Sequence, residues 1–212
     1  TKSNILRIIY NIGVHMKKIL ILVLLSSGLL QAETYKLDTG HSEIGFSVKH
    51  LLISNVKGRF GKFSGTFDYD KVAKTLKNLT IEIDPASINT AQSDRDEHLT
   101  GDDFFDVAKY KKITFVGEKS EFSADGKTVK VSGKLKMKDK NIPVSLDVTI
   151  NGEAEIEGVK KVAFTATTEI NRKNWGISWN KTLDAGGVAV SENVKILIEA
   201  EADLVKPASK KQ

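Results

Sequence analysis

Histidine side chains are the groups of this sequence best suited to acid–base or ligand-binding chemistry near neutral pH. His50 follows Phe46 and Val48 at a spacing of two residues, so its imidazole is expected on the same dry face of a strand. A single buried histidine is more often a hydrogen-bonded structural residue than a catalyst. In a mostly apolar pocket it can also contact the polar head of a ligand, which makes His50 a candidate binding residue.

A second group of candidates lies in residues 91–99, which contain no β-branched residue and no apolar alternation. We expect a short helix here, capped by Ser93. Arg95 and His98 are three residues apart and would lie on neighbouring turns. They either form ordinary surface ion pairs or present themselves to an anionic or polar head group, and the local sequence leaves both open. His41, at the start of a strand, is a weaker candidate for the same role.

Other reactive residue types occur in patterns that give little support to catalysis. The chain has no cysteine, which argues against thiol catalysis, cysteine-ligated zinc and a lipoprotein anchor. It has no Gly-x-Ser-x-Gly motif, and the scattered histidines lack the close spacing of a metal site. We therefore expect no enzyme activity, no metal and no cofactor. The remaining enzymatic alternative is a lipid-modifying enzyme that uses His98 or His50 as a general base.

The elements that must position these residues are mainly strands. Val129 and Val131 alternate with Lys130 and Ser132, and the same period of two recurs along the chain. Many such strands with little helix bury their dry faces in a sandwich or a closed barrel. Strands are predicted at 34–37, 42–53, 56–70, 75–84, 113–123, 128–138, 144–151, 161–170 and 193–205. Hairpin turns are predicted at 125–126 (Asp-Gly) and 151–152 (Asn-Gly).

The N-terminal segment has the pattern of a secretory signal peptide. Lys17 and Lys18 precede an apolar run from Ile19 to Leu25, and Ala32 is a small residue at a suitable cleavage position. We expect residues 1–32 to be removed, 33–205 to form one domain and 206–212 to be a polar tail. The first 32 residues hold four of the 32 basic and none of the 27 acidic residues. The remaining chain would carry 28 basic and 27 acidic residues, so a nucleic-acid partner is not expected.

Short motifs in a fixed order make the chain resemble the YceI-like family of exported, lipocalin-like proteins. The resemblance runs from about Tyr35 to Val205. The matching stretches are Leu37 to Ser42, Ile44 to His50, Val56 to Phe60, Phe63 to Gly65, Ser87 to Thr90, Arg95 to Leu99, Asp103 to Asp106, Gly133 to Leu135 and Asn171 to Gly176.

This resemblance implies an all-β fold, an eight-stranded antiparallel lipocalin-like barrel with one short helix and long end loops. It also implies an elongated tunnel for a polyisoprenoid or related long-chain amphiphile, such as a fatty-acid amide. A periplasmic location, a homodimer and transient membrane contact are consistent with it. Strand phase and motif match together place these residues on the apolar tunnel wall: Phe46, Val48, Phe60, Phe67, Ile81, Phe115, Val131, Leu135, Leu146, Val148, Phe164, Ile196 and Ile198.

Two features of the barrel allow alternative interpretations: how its end is closed and whether its interior is hollow. Trp175 and Trp179 are interpreted as an aromatic plug that closes one end, and a hydrophobic portal is the alternative. A small eight-stranded barrel can also be solid, which keeps a structural or stress protein with a surface partner as the second hypothesis.

Overall fold

The computed structural model describes residues 32–51, 53–182 and 188–206. The proposed signal peptide and nearly all of the polar tail lie outside the described residues. Strands make up most of the described chain, as the alternation predicts. None of the helices in these ranges is long and apolar enough to cross a membrane.

Ten strands and one α-helix make up the regular structure of the described residues. The strands are β1 (Glu33–His50), β2 (Ser54–Phe60), β3 (Phe63–Asp70), β4 (Thr75–Ile83), β5 (Ile88–Asn89), β6 (Ile113–Phe122), β7 (Thr128–Met137), β8 (Lys140–Ile156), β9 (Val159–Asn171) and β10 (Val190–Leu204). The helix α1 spans Ser93–Thr100, and two 3₁₀ turns span Pro85–Ser87 and Arg172–Trp175.

The sheet closes on itself because β1 pairs with a strand on each side. On one side it pairs with β10 along nearly its whole length. On the other side, Glu33–Lys36 pair with β3 and Ile44–His50 pair with β2. The closed ring runs β1, β10, β9, β8, β7, β6, β4, β3 and back to β1, with antiparallel pairing throughout. The eight-stranded antiparallel barrel expected from the sequence is confirmed.

Three local predictions need correction. The segments predicted as strands 34–37 and 42–53 are joined in one strand, β1, which ends at His50 and has an irregular step between Asp38 and Glu43. The predicted strand 56–70 is split in two, because β2 ends at Phe60 and β3 begins at Phe63. The predicted turn at 151–152 lies inside β8, where a register shift next to Gly152 absorbs it as a bulge.

The hairpin between β8 and β9 lies farther along the chain. Glu157 and Gly158 both have positive φ, 54° and 72°, which is the backbone of a two-residue type I′ turn. The Asp125-Gly126 hairpin is confirmed, because β6 ends and β7 begins on either side of it.

Apolar side chains form two clusters along the barrel axis. We call them the closed half and the cavity half. The closed half contains Tyr35, Leu37, Phe67, Tyr69, Leu79, Val129, Val131 and Val148, with other residues packed against them. The cavity half contains Ile44, Phe60, Ile88, Phe104, Ile113, Met137, Trp175 and Ile177. β1 runs through both, since Leu37 lies in the first and Ile44 in the second.

Candidate functional site

A space inside the cavity half is the candidate site. Its volume is about 520 Å³, and its wall is overwhelmingly apolar. This size and lining are typical of a pocket that encloses a small apolar ligand. Of the residues predicted for the tunnel wall, these line it: Phe46, Val48, Phe60, Ile81, Phe115, Leu135, Leu146, Ile196 and Ile198.

Four residues predicted for the wall lie elsewhere. Phe67, Val131 and Val148 are buried in the packed core of the closed half, and Phe164 packs against that core. Phe164 contacts Phe67 edge-on, with ring centroids 5.8 Å apart. The prediction placed these side chains on the correct face of their strands. It misplaced them along the barrel axis, because strand phase distinguishes the inside of the barrel from the outside but does not give a residue's position along the axis.

Aromatic side chains from the loops complete the wall. Phe104 and Phe105, after α1, line the cavity, as does Trp179 in the segment that follows the second 3₁₀ turn. The unusual Phe-Phe pair and the clustered tryptophans were the sequence signals for these residues. Period-two patterning could not assign them, since they lie outside strands.

The two tryptophans have different environments. Trp175 is 1% exposed, and its Nε1–H donates a hydrogen bond to the carbonyl oxygen of Leu135 at 3.0 Å. Trp179 is half-buried and forms part of the cavity wall. The plug interpretation therefore describes Trp175, whereas Trp179 faces the space that a ligand could occupy.

His98 lies in an aromatic contact at the end of the cavity where the lining side chains of His98 and Lys181 are exposed, which we call the mouth. Its ring meets Phe104 and Trp179 edge-on, with both centroid distances 5.0 Å. Its Nε2 is 3.3 Å from a carboxylate oxygen of Asp103. Helix α1 thus places this imidazole against the cavity wall and beside an exposed carboxylate.

Arg95 is held in position by the loop before α1. Gln92, not the predicted Ser93, caps the helix, because its side-chain oxygen accepts the Arg95 backbone N–H. The guanidinium donates from Nε to the Thr90 hydroxyl at 2.7 Å and from Nη2 to the Thr90 carbonyl at 2.9 Å. Thr90 in turn donates from its backbone N–H and its hydroxyl to Asp96. Arg95 is half-buried and lines the cavity.

His50 also reaches the cavity wall. It ends β1 and pairs with Val190 of β10, and its side chain is half-buried. Two cations that the sequence analysis did not single out, Arg172 and Lys181, line the same space. Both lie in the irregular stretch before β10, where no local pattern indicated which side chains would face inward.

His41 is separated from this group. It lies on the outside of β1, with Nδ1 2.8 Å from Oδ2 of Asp38, and its side chain is well exposed. This contact raises the pKa of His41 and lowers the pKa of Asp38 to about 2. Asp38, His41 and Glu201 could offer three metal ligands, but the ammonium of Lys161 lies 3.2 Å from Asp38 and already balances its charge.

Comparison with known proteins agrees with this architecture. The family model described as the YceI-like domain matches residues 35–202. The chain belongs to the YceI-like family. A UPF0312 protein of Staphylococcus epidermidis is 36% identical to it over 169 residues, which cover 79% of this chain and 95% of the relative. A UPF0312 protein of Staphylococcus aureus has the same identity and coverage.

Several solved structures share this barrel fold. The YceI protein of Campylobacter jejuni is 34% identical, with a TM-score of 0.65 over 80% of this chain and 97% of that one. BcnA of Burkholderia cenocepacia gives a TM-score of 0.65 at 25% identity over 78% and 98%. A structure described as a polyisoprenoid-binding domain from Saccharophagus degradans, 17% identical, shares the fold, with a TM-score of 0.58 over 81% and 98%.

Proposed function

We propose that this YceI-like protein binds the chain of a long amphiphile, a polyisoprenoid or a fatty-acid derivative, inside the cavity half of its barrel. The observation that carries the proposal is the 520 Å³ cavity with an almost entirely apolar wall. The fold shared with a polyisoprenoid-binding domain supports the same ligand class. The protein would transport, store or scavenge this ligand without modifying it.

Burial of the chain would supply most of the binding free energy. A chain of about fifteen methylenes gains roughly 12 kcal/mol of gross transfer free energy, at about 0.8 kcal/mol for each methylene, before the entropy costs of binding. Polar groups at the mouth would then orient the ligand and select among head groups. Arg95, His98 and His50 are suited to this role because they line an otherwise apolar space.

The β1–β2 turn next to the mouth supports transient contact with a membrane. Ile53 is 86% exposed, and Leu51 beside it is also exposed. The backbone N–H of Leu51 donates to the carbonyl of Ala189 at 2.9 Å, which ties this turn to the cavity wall. An apolar ligand that enters from a lipid layer would cross little water on this route. Export to the periplasm and a homodimeric state stay predictions.

Native mass spectrometry tests the binding proposal directly. The chain from Glu33 to Gln212 would be purified from the periplasm without detergent, and released material would be identified by lipid mass spectrometry. We expect a stoichiometric adduct that is released as a long-chain amphiphile. A protein without adduct that also fails to take up isoprenoids or fatty amides would contradict the proposal and favour a barrel that acts through a surface partner.

A further inference from the structure

The charged groups of the cavity wall all have the same sign. Five of its side chains are cationic or can become so: His50, Arg95, His98, Arg172 and Lys181. Among the described residues the wall contains no aspartate and no glutamate. The rest of the described barrel, by contrast, mixes both signs closely, with many lysine–carboxylate pairs on its outer face.

The two arginines of the wall have neutral hydrogen-bond acceptors. The Arg95 guanidinium donates only to the hydroxyl and carbonyl oxygens of Thr90 in the described structure. Arg172, which is 4% exposed, donates to backbone carbonyls of residues 177, 190 and 191 at 2.7 to 3.4 Å. Burial lowers the pKa of Arg172, and the negative charge of the nearby Glu192 partly offsets this effect. The Glu192 carboxylate already accepts hydrogen bonds from Lys173 and Asn171.

These cations meet at one end of the barrel. Val190 connects three of the segments involved, because it pairs with His50 and its carbonyl accepts hydrogen bonds from Arg172 and from Asn180. Asn180 lies between Trp179 and Lys181 in the chain, and Trp179 packs against His98 on the helix that also carries Arg95. The positive groups therefore lie at the same end of the space, whereas Phe115 and Leu146 of its wall belong to the apolar core of the closed half.

We propose that the mouth of the cavity recognises an anionic head group, a carboxylate or a phosphate, and so selects acidic amphiphiles over neutral ones with the same chain. This inference rests on the proposed function. An anion at the mouth balances the guanidiniums of Arg95 and Arg172, which donate to hydroxyl and carbonyl oxygens and to no carboxylate within the described residues. Attraction there is strong because the apolar wall lowers the local dielectric. A guanidinium also matches the oxygens of carboxylates and phosphates with parallel N–H donors.

Matched pairs of ligands test the proposal on the chain from Glu33 to Gln212. Palmitic acid is compared with palmitamide, and farnesyl phosphate with farnesol, by calorimetry at neutral pH and low salt. We expect the acid or the phosphate to bind at least about tenfold more tightly than its neutral partner, which corresponds to about 1.4 kcal/mol. The two pairs distinguish a carboxylate site from a phosphate site. Added salt should narrow the difference where the mouth is open to solvent.

Charge removal at the mouth identifies the groups responsible. Lys181→Gln removes one positive charge from an exposed side chain, so the fold should tolerate it. Arg95→Gln removes the charge of a half-buried wall residue. Each is expected to reduce the preference for the anionic ligand over its neutral partner by about three- to tenfold, about 0.6–1.4 kcal/mol. Lys195→Gln is the matched control, since Lys195 lies on the outward face of β10 between the wall residues Val194 and Ile196.

The outcomes separate this inference from the proposed function. If the neutral and acidic members of each pair bind equally well, the head-group inference is wrong and amphiphile binding stands. A preference that Lys195→Gln reduces as much as Lys181→Gln would also overturn it, because the effect would then be one of net charge. If neither member of either pair binds, both proposals fail.

Discussion

The indole N–H of Trp175 donates to the carbonyl of Leu135, 3.0 Å away, and so joins the 3₁₀ turn after β9 to β7 on the cavity wall. β8 lies between β9 and β7 in the sheet, so the bond joins segments that are not neighbours in the strand order. The bond anchors the start of the loop that contains Trp179 and Lys181, two residues of the cavity wall. Strand pairing alone would leave this loop without a specific anchor on the barrel.

Trp175→Phe should destabilise the protein by about 1–3 kcal/mol. The phenyl ring fills part of the space but removes the hydrogen bond from the indole to the Leu135 carbonyl, in a site that is almost fully buried. Urea unfolding followed by circular dichroism measures the loss. Trp179→Phe is the matched control and should cost clearly less, because Trp179 is only half-buried. Equal losses would contradict the anchoring role of Trp175.

Ile196→Trp should block ligand binding, because Ile196 lines the cavity and a larger side chain fills the space that the amphiphile needs. The expected result is loss of the adduct in native mass spectrometry with the barrel still folded. Leu197→Trp is the control on the next residue, which faces outward and is 47% exposed. The cavity is not the binding site if the adduct survives in Ile196→Trp at the wild-type level.

Gly133→Ala should destabilise the barrel by about 1–3 kcal/mol. A Cβ at this position would lie 2.2 Å from the backbone oxygen of Val116 on the paired strand, and backbone in a closed sheet cannot easily move away. Gly152→Ala, also in a strand, should be nearly neutral because no atom lies within 4 Å of its added Cβ. Thermal unfolding of both variants compares them, and similar melting temperatures would refute the steric argument.

The contact between Asp38 and His41 should be visible by NMR titration. The hydrogen bond that the His41 imidazole donates to the Asp38 carboxylate raises the pKa of His41 above its usual 6.5, and Asp38→Asn should return it toward that value. A His41 pKa that does not change in this variant would contradict the contact.

The same contact gives a dependence of stability on pH with a definite sign. Because the folded-state pKa of His41 is raised, its contribution to stability is complete below pH 6.5 and is lost as the pH rises through the raised value. The pKa of Asp38 is lowered from 3.8 to about 2, chiefly by its hydrogen bond with His41. Its contribution is present above pH 3.8 and is lost as the pH falls toward 2. Acid unfolding of Asp38→Asn beside the wild type measures this difference.

Ile53→Glu should slow uptake of an amphiphile from anionic vesicles, because it replaces the exposed apolar tip of the β1–β2 turn beside the mouth with a negative charge. Val72→Glu is the control, since Val72 is 76% exposed in the β3–β4 turn at the closed half. Transfer followed by tryptophan fluorescence measures the rate. Equal rates for the two variants would remove the membrane route at Ile53.

The sequence alone predicted most of the barrel because alternation is a local property. Each strand records in its own residues which face is dry, and the helix at Ser93–Thr100 is marked by the absence of that pattern. Local signals failed where pairing decides the geometry. Asn151-Gly152 has the composition of a turn, but the partner strand β9 holds it in an extended ladder as a bulge.

The cavity depended on tertiary structure. Val131 and Leu135 lie on one strand with the same phase, yet Val131 is packed in the closed half and Leu135 lines the cavity. The alternation is the same for both residues. It shows which face of the strand a side chain is on, but it does not show how far along the barrel axis that side chain lies. The height of each residue follows from the register of eight strands around the ring.

Sequence analysis identified His50, Arg95 and His98 as candidates by residue type and local spacing. That they share one mouth with Arg172 and Lys181, while His41 does not, was decided by contacts between segments far apart in the chain. Residue type and strand phase are local quantities that a sequence records directly. The convergence of distant charges on one cavity depends on how the closed sheet and its end loops pack, and only the folded chain specifies that.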